Sequence, residues 1–147
     1  MDTSGGDRSG TLSVSKPISK LNISWIGDSN NVLNSLIAAS TKFLFKLNIG
    51  CPKKYQPNRN ILNYIKKNKN KISFYNDPIK AVTGADVIFS DKVISMNDKG
   101  NKAKKLRHFK KFRINKELID FAKRDCIFLH CLPRGNEVDD KIFLSNQ

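Results

Sequence analysis

A chain of 147 residues suits one domain or one half of a two-domain enzyme, and its 39% apolar share is enough for a single core. No run approaches the roughly eighteen apolar residues a membrane-spanning helix needs, so no membrane partner is expected. The net charge of +14 invites a nucleic-acid partner, but the lysines are spread along the whole chain without interleaved aromatic platforms; no nucleic acid is expected, and the positive field suits an anionic substrate.

Residues 1–20, "MDTSGGDRSGTLSVSKPISK", are rich in Ser and Gly, lack an apolar signal core and carry two aspartates, unlike a mitochondrial presequence. They are expected to form a disordered leader, or an altered end of a longer ancestral chain, with a folded domain over 21–147. Cys51, Cys126 and Cys131 are too few and too irregularly spaced for a disulfide framework or a zinc site, which points to a reducing compartment.

Leu21–Ile26, "LNISWI", alternates as a strand should and ends in the turn "GDSNN". Either Asn30 or Asn31 can cap the helix that follows. Its apolar face is predicted at Leu33, Leu36, Ile37, Ser40, Phe43, Leu44 and Leu47. "NIGCP" reads as a short strand stopped by Pro52, "NRNILNYIKKNKN" as a second helix, and "ISFY" as a third strand. "NDPIKAVTGA" has proline in its first turn and glycine near its end, a short helix. "DVIFSD" is the fourth strand. A basic amphipathic helix around Leu106 and Phe109 follows, then another capped by Asn115, then the strand "CIFLH".

Strands alternating with helices predict an α/β fold: a parallel sheet of about five strands with helices on both faces. Such sheets bind ligands beyond the carboxyl ends of their strands. Three loops begin there: Gly27–Asn31, Asp91–Gly100 and His130–Asn136. Together they offer amides and helix-start N–H groups for a carboxylate, the Asp91 carboxylate for an ammonium, the Ser95 hydroxyl, the Met96 backbone, His130 and the Cys131 thiol. That set matches both ends of an amino-acid zwitterion. Each residue also has a structural role open to it: Asn31 as a cap, Asp91 bonding turn amides, Cys131 as a small buried side chain, His130 as a satisfied core histidine.

The stretches "LNISWIGDSNNVLNS", "PKKYQPN", "NDP", "SDKVISM" and "FLHCLPRGNEVDDKIF" resemble, in order and spacing, the ornithine-binding half of ornithine carbamoyltransferase. His-Cys-Leu-Pro is the specific motif, since aspartate carbamoyltransferases carry proline where Cys131 stands. The resemblance implies a Rossmann-like half of a carbamoyltransferase, in which Asn31, Asp91, Ser95 and Met96 hold the amino-acid end of L-ornithine. It implies that Cys131 is the catalytic side chain at the δ-amine, and that Cys131 and the Leu132 backbone contact the carbamoyl group. The reaction is transfer of a carbamoyl group from carbamoyl phosphate to ornithine, giving citrulline and phosphate, with no cofactor and no metal.

The resemblance further implies a homotrimer working in arginine biosynthesis or the urea cycle. It leans towards the animal mitochondrial form, hence the matrix, with the cytoplasm as the alternative. The family's Ser-Thr-Arg-Thr-Arg phosphate loop, its His-Pro-x-Gln motif and its carboxyl-terminal helices have no counterpart here. By itself the chain is therefore expected to be inactive, either as part of a working enzyme or as an inactive amino-acid-binding or assembly module derived from one. Asn97 stands where the family has glycine, Lys92-Val93 where it has Thr-Trp, and Asn34 where it has histidine.

Overall fold

The computed structural model describes residues 16–68, 71–94, 100, 102–130 and 137–138. Strands and helices alternate along them: β1 (Asn22–Ile26), α1 (Asn31–Phe43), β2 (Lys46–Gly50), α2 (Arg59–Lys67), β3 (Ile72–Tyr75), α3 (Pro78–Val82), β4 (Val87–Ser90), α4 (Lys102–Phe109), α5 (Lys116–Ile119) and β5 (Ile127–His130). The strands lie in the order β3-β2-β1-β4-β5, and every pairing is parallel. The parallel α/β sheet expected from the sequence is therefore present.

From β1 the chain steps outward to β2 and β3, then returns past β1 to β4 and β5. Right-handed crossovers run in opposite directions put their helices on opposite faces. So α1 and α2 cover one face, while α3, α4 and α5 belong to the other. The reversal of direction falls between β1 and β4, and open parallel sheets bind their ligands in the crevice beyond the carboxyl ends at such a reversal.

The two faces differ in side-chain size. On β1 and β2, Ile23, Trp25, Leu47 and Ile49 share one face, all buried, with Trp25 beside Ile49 and Phe89 in register. The other face carries Ser24, Asn48 and Gly50, and α3 lies close upon it. Ser24 Oγ donates to the Ala81 carbonyl at 2.5 Å. A Cβ on Gly50 would come within 2.6 Å of Ile26 Cδ1 and 2.9 Å of Ala81 Cβ, so the approach of α3 requires glycine there.

Two expectations need correction. The first helix does not reach Leu47: it ends at Phe43, and Leu44 turns the chain with φ 62° while its N–H closes on the Ser40 carbonyl. Leu33, Ile37 and Ser40 are buried as predicted, but Phe43 and Leu44 are exposed, and Leu47 is a core residue of β2. The apolar period continued because a buried strand follows the helix with almost no linker. In α4, Phe109 is buried but Leu106 is exposed, and Lys105 takes the inward position instead. Before β1, a 3-10 turn spans Ile18–Lys20, and Lys16 Nζ reaches Asp86 Oδ1 at 3.0 Å. Residues 1–15 of the expected leader lie outside the described residues.

Candidate amino-acid site at the carboxyl edge

At the end of β1, Gly27 has φ 152°, a backbone suited to glycine, and its N–H donates to the Gly50 carbonyl at 3.1 Å. The buried Trp25 indole donates to the Asp28 carbonyl at 3.1 Å, tethering the loop to the core. Ser29 N–H donates to Asp28 Oδ1 at 2.8 Å, and Ser29 Oγ to the Tyr55 carbonyl at 2.7 Å. Asn30, not Asn31, caps α1: its Oδ1 accepts from Leu33 N–H at 3.0 Å.

The same Asn30 side chain crosses the crevice. Its Nδ2 donates to Asp91 Oδ2 at 2.9 Å, joining the end of β1 to the end of β4. Asp91 Oδ1 accepts from Lys92 N–H at 2.7 Å. Among the described residues, then, this half-exposed carboxylate is oriented by neutral donors. Asn31, the first residue of α1, is exposed beside it at the helix start.

The third loop begins at His130, in register with Ser90. His130 Nε2 lies 2.8 Å from Glu137 Oε1, with both side chains nearly inaccessible at 2% and 7%. Glu137 went unremarked in the sequence because nothing in "RGNEVDD" separates it from its acidic neighbours; only its position seven residues beyond the histidine was a signal. Ser95, Met96, Cys131 and Leu132 lie outside the described residues.

Elsewhere the chemistry is quiet. Burial pushes the Cys51 thiol up to about 12 despite the Ser29 hydroxyl beside it. Burial, with Asp86 and Asp125 nearby, does the same to Cys126. Neither forms the thiolate a nucleophile needs. No group of three or more metal-ligating side chains exists among the described residues. A cavity of about 720 Å³ between α2 and β3 is lined by Arg59, Leu62, Ile65 and Phe74, outside all three loops.

A family model described as aspartate/ornithine carbamoyltransferase, Asp/Orn binding domain, matches residues 19–147. The chain belongs to this family. It is 40% identical over 129 residues to an ornithine carbamoyltransferase of Methanocorpusculum labreanum, covering 86% of this chain and 42% of that protein. A mitochondrial ornithine carbamoyltransferase of Aquarana catesbeiana is 41% identical over 128 residues, covering 84% of this chain and 37% of its own length. The anabolic ornithine carbamoyltransferase of Campylobacter jejuni superimposes with a TM-score of 0.79 at 34% identity, over 85% of this chain and 43% of that one. The chain thus spans less than half the length of these relatives.

Proposed function

We propose that this domain holds L-ornithine for carbamoyl transfer from carbamoyl phosphate. The Asn30–Asp91 contact carries the reading, because it aims a carboxylate oriented by neutral donors into the crevice where an open α/β sheet binds ligands. Asp91 receives the α-ammonium, while Asn31, Ser95 and the Met96 backbone take the amino-acid end. Cys131 sits at the δ-amine and, as a thiolate, fixes its position; the amine loses a proton before reacting. The neutral nitrogen attacks the carbonyl carbon of carbamoyl phosphate beside the Leu132 backbone. The carbon–oxygen bond to phosphate breaks, phosphate leaves with the electron pair and takes up the second proton of the attacking nitrogen, and citrulline forms. His130, clasped by Glu137, steadies the strand end that presents Cys131.

The phosphate is the part this domain does not hold. Phosphate positioning draws on guanidinium forks and clustered N–H groups, and a second domain of the family's phosphate-loop type supplies them. The 147-residue polypeptide alone is expected to forfeit the orientation effect, on the order of 7–11 kcal/mol, and to give no measurable citrulline. The assay is citrulline formation with saturating carbamoyl phosphate, with and without a separately produced phosphate-binding domain. Turnover by the polypeptide alone, abolished by Cys131→Ala, overturns the division of labour. A homotrimer and a place in arginine biosynthesis or the urea cycle follow the family resemblance. The mitochondrial matrix is proposed for the compartment, and fractionation of cells carrying the tagged chain tests it.

A further inference from the structure

We infer that Ser29 is a positioning residue for the amino-acid site: its hydroxyl, bonded to the Tyr55 carbonyl, fixes the turn from which Asn30 reaches across to orient Asp91. The inference rests on the reading of the crevice as an ornithine site. In "GDSNN" the serine follows the central strand β1, which has β2 on one side and β4 on the other. Two successive side chains tie this turn in opposite directions. Ser29 Oγ donates to the Tyr55 carbonyl at 2.7 Å, on the β2 side. Asn30 Nδ2 donates to Asp91 Oδ2 at 2.9 Å, on the β4 side. A serine hydroxyl ahead of a helix commonly bonds a neighbouring backbone group, whereas this one bonds a carbonyl 26 positions along the chain.

The acceptor is itself held firmly. Tyr55 closes a 3-10 turn over Lys53–Tyr55, and its N–H donates to the Pro52 carbonyl at 2.8 Å. The buried Cys51 Sγ gives the Tyr55 carbonyl a second donor at 3.2 Å. The Tyr55 ring packs on α4, with its centre 5.2 Å from that of Phe109 and 5.5 Å from that of His108. The Ser29 hydroxyl therefore sets where the turn sits against a rigid neighbour. Asn30 has both ends of its side chain engaged, Oδ1 on the Leu33 N–H and Nδ2 on Asp91, so a displaced turn loses one contact or the other. Asp91 has lone pairs enough for Asn30, the Lys92 N–H and an ammonium together, so the Asn30 donor orients the carboxylate without displacing the ligand. Without the Ser29 hydroxyl the turn is tied on one side only. The ligand must then order turn and carboxylate as it binds, and affinity falls.

The experiment compares wild type, Ser29→Ala, Ser29→Thr, Asn30→Ala, the double variant Ser29→Ala/Asn30→Ala, and Cys51→Ala, which removes the other donor to the Tyr55 carbonyl. Each 147-residue chain is titrated with L-ornithine while backbone and Asn side-chain amide signals are followed, and its thermal melting is recorded. Ser29→Ala is expected to bind roughly threefold to tenfold more weakly. Before any ligand is added it should also shift the Asn30 side-chain amide and the Lys92 N–H, which lies across the crevice on Asp91. Ser29→Thr keeps the hydroxyl and stays near wild type. On the Asn30→Ala background the loss of Ser29 adds about twofold or less, because Ser29 acts through Asn30. Cys51→Ala melts lower and keeps its ornithine affinity. A folded Ser29→Ala that binds like wild type overturns the inference, as does Ser29→Thr no better than Ser29→Ala. So does the full loss repeated on the Asn30→Ala background, or equal weakening by Cys51→Ala. If wild type itself does not respond to ornithine, the reading of the site has failed. The ligand-free spectra then still decide the positioning, since unmoved Asn30 and Lys92 signals in Ser29→Ala overturn it.

Discussion

Strand β4 is flanked by two aspartates whose surroundings are opposite. Asp86, at its amino end, is 93% hidden in the sense that only 7% of its side chain is exposed. It accepts from Lys16 Nζ at 3.0 Å, Lys123 Nζ at 2.9 Å and the Asn22 N–H at 2.8 Å. Burial alone raises its pKa, but these donors outweigh burial and hold the carboxyl below its usual range. Asp91, at the carboxyl end, is half-exposed and oriented by one amide side chain and one backbone N–H among the described residues. Both carboxylates tie β4 to the segment beside β1. Of the two, only Asp86 is met by cations among the described residues. Cations clasp the carboxylate at the amino end of β4, whereas among the described residues neutral donors orient the one at its carboxyl end.

The sharpest way to break that contrast is to truncate each aspartate in turn. Asp91→Ala is expected to weaken L-ornithine binding by roughly 2–5 kcal/mol while barely moving the melting temperature. Calorimetric titration alongside thermal melting measures both, and Asp91→Asn separates charge from shape. Unchanged binding in both variants would remove Asp91 from the site. Asp86→Ala should do the reverse, costing about 1–3 kcal/mol of stability while a folded sample still binds ornithine. The figure sits low for a buried carboxylate because both lysines are 39% exposed and can turn to water. A stability loss confined to Asp91→Ala would invert the comparison.

Asn30 belongs to both structure and site, so its loss should show in both measurements. Asn30→Ala removes the cap of α1, worth about 1 kcal/mol, and frees Asp91 to rotate, so ornithine binds severalfold more weakly. Asn30→Ser, which can still cap but cannot span to Asp91, should recover stability and not affinity. The smallest effect is in acid. Asp86 has a folded pKa below its unfolded value, so its stabilisation is present above about pH 4 and fades as pH falls through the folded value. Melting curves of wild type and Asp86→Asn should therefore converge as the pH drops from neutral towards 2. A gap that persists unchanged at the acid end would show that the clasp does not depend on the ionised carboxylate.

Much of this was readable from local pattern. Asn58 and Asn115 cap α2 and α5 by accepting from Ile61 and Leu118, and Pro78 opens α3, as turn and cap chemistry required. The three loops also emerge at one edge, because a parallel sheet leaves its strands no other choice. What local pattern misread was junctions. The boundary between α1 and β2 was blurred because Leu44 and Leu47 continue an apolar spacing that belongs to two different elements. At the crevice the pattern left Asn30 and Asn31 both open as the cap, and the structure gives that role, and the contact with Asp91, to Asn30: adjacent asparagines look alike until the helix start assigns one of them the extended backbone of a cap.

The sequence by itself determined the alternation of elements, the parallel sheet and the three strand-end loops, since these rest on periodicity and on residues close together along the chain. Tertiary structure alone decided the pairings that cross it: Asn30 with Asp91, Lys105 with Asp28, His130 with Glu137, and Asp86 with Lys16 and Lys123. Many lysines and aspartates in this chain have the same local appearance. Which of them meet depends on the point where the strand order reverses and on the depth at which each helix settles. Those are set by the packing of Trp25, Gly50 and Phe109, and burial then makes each surviving charge find its partner.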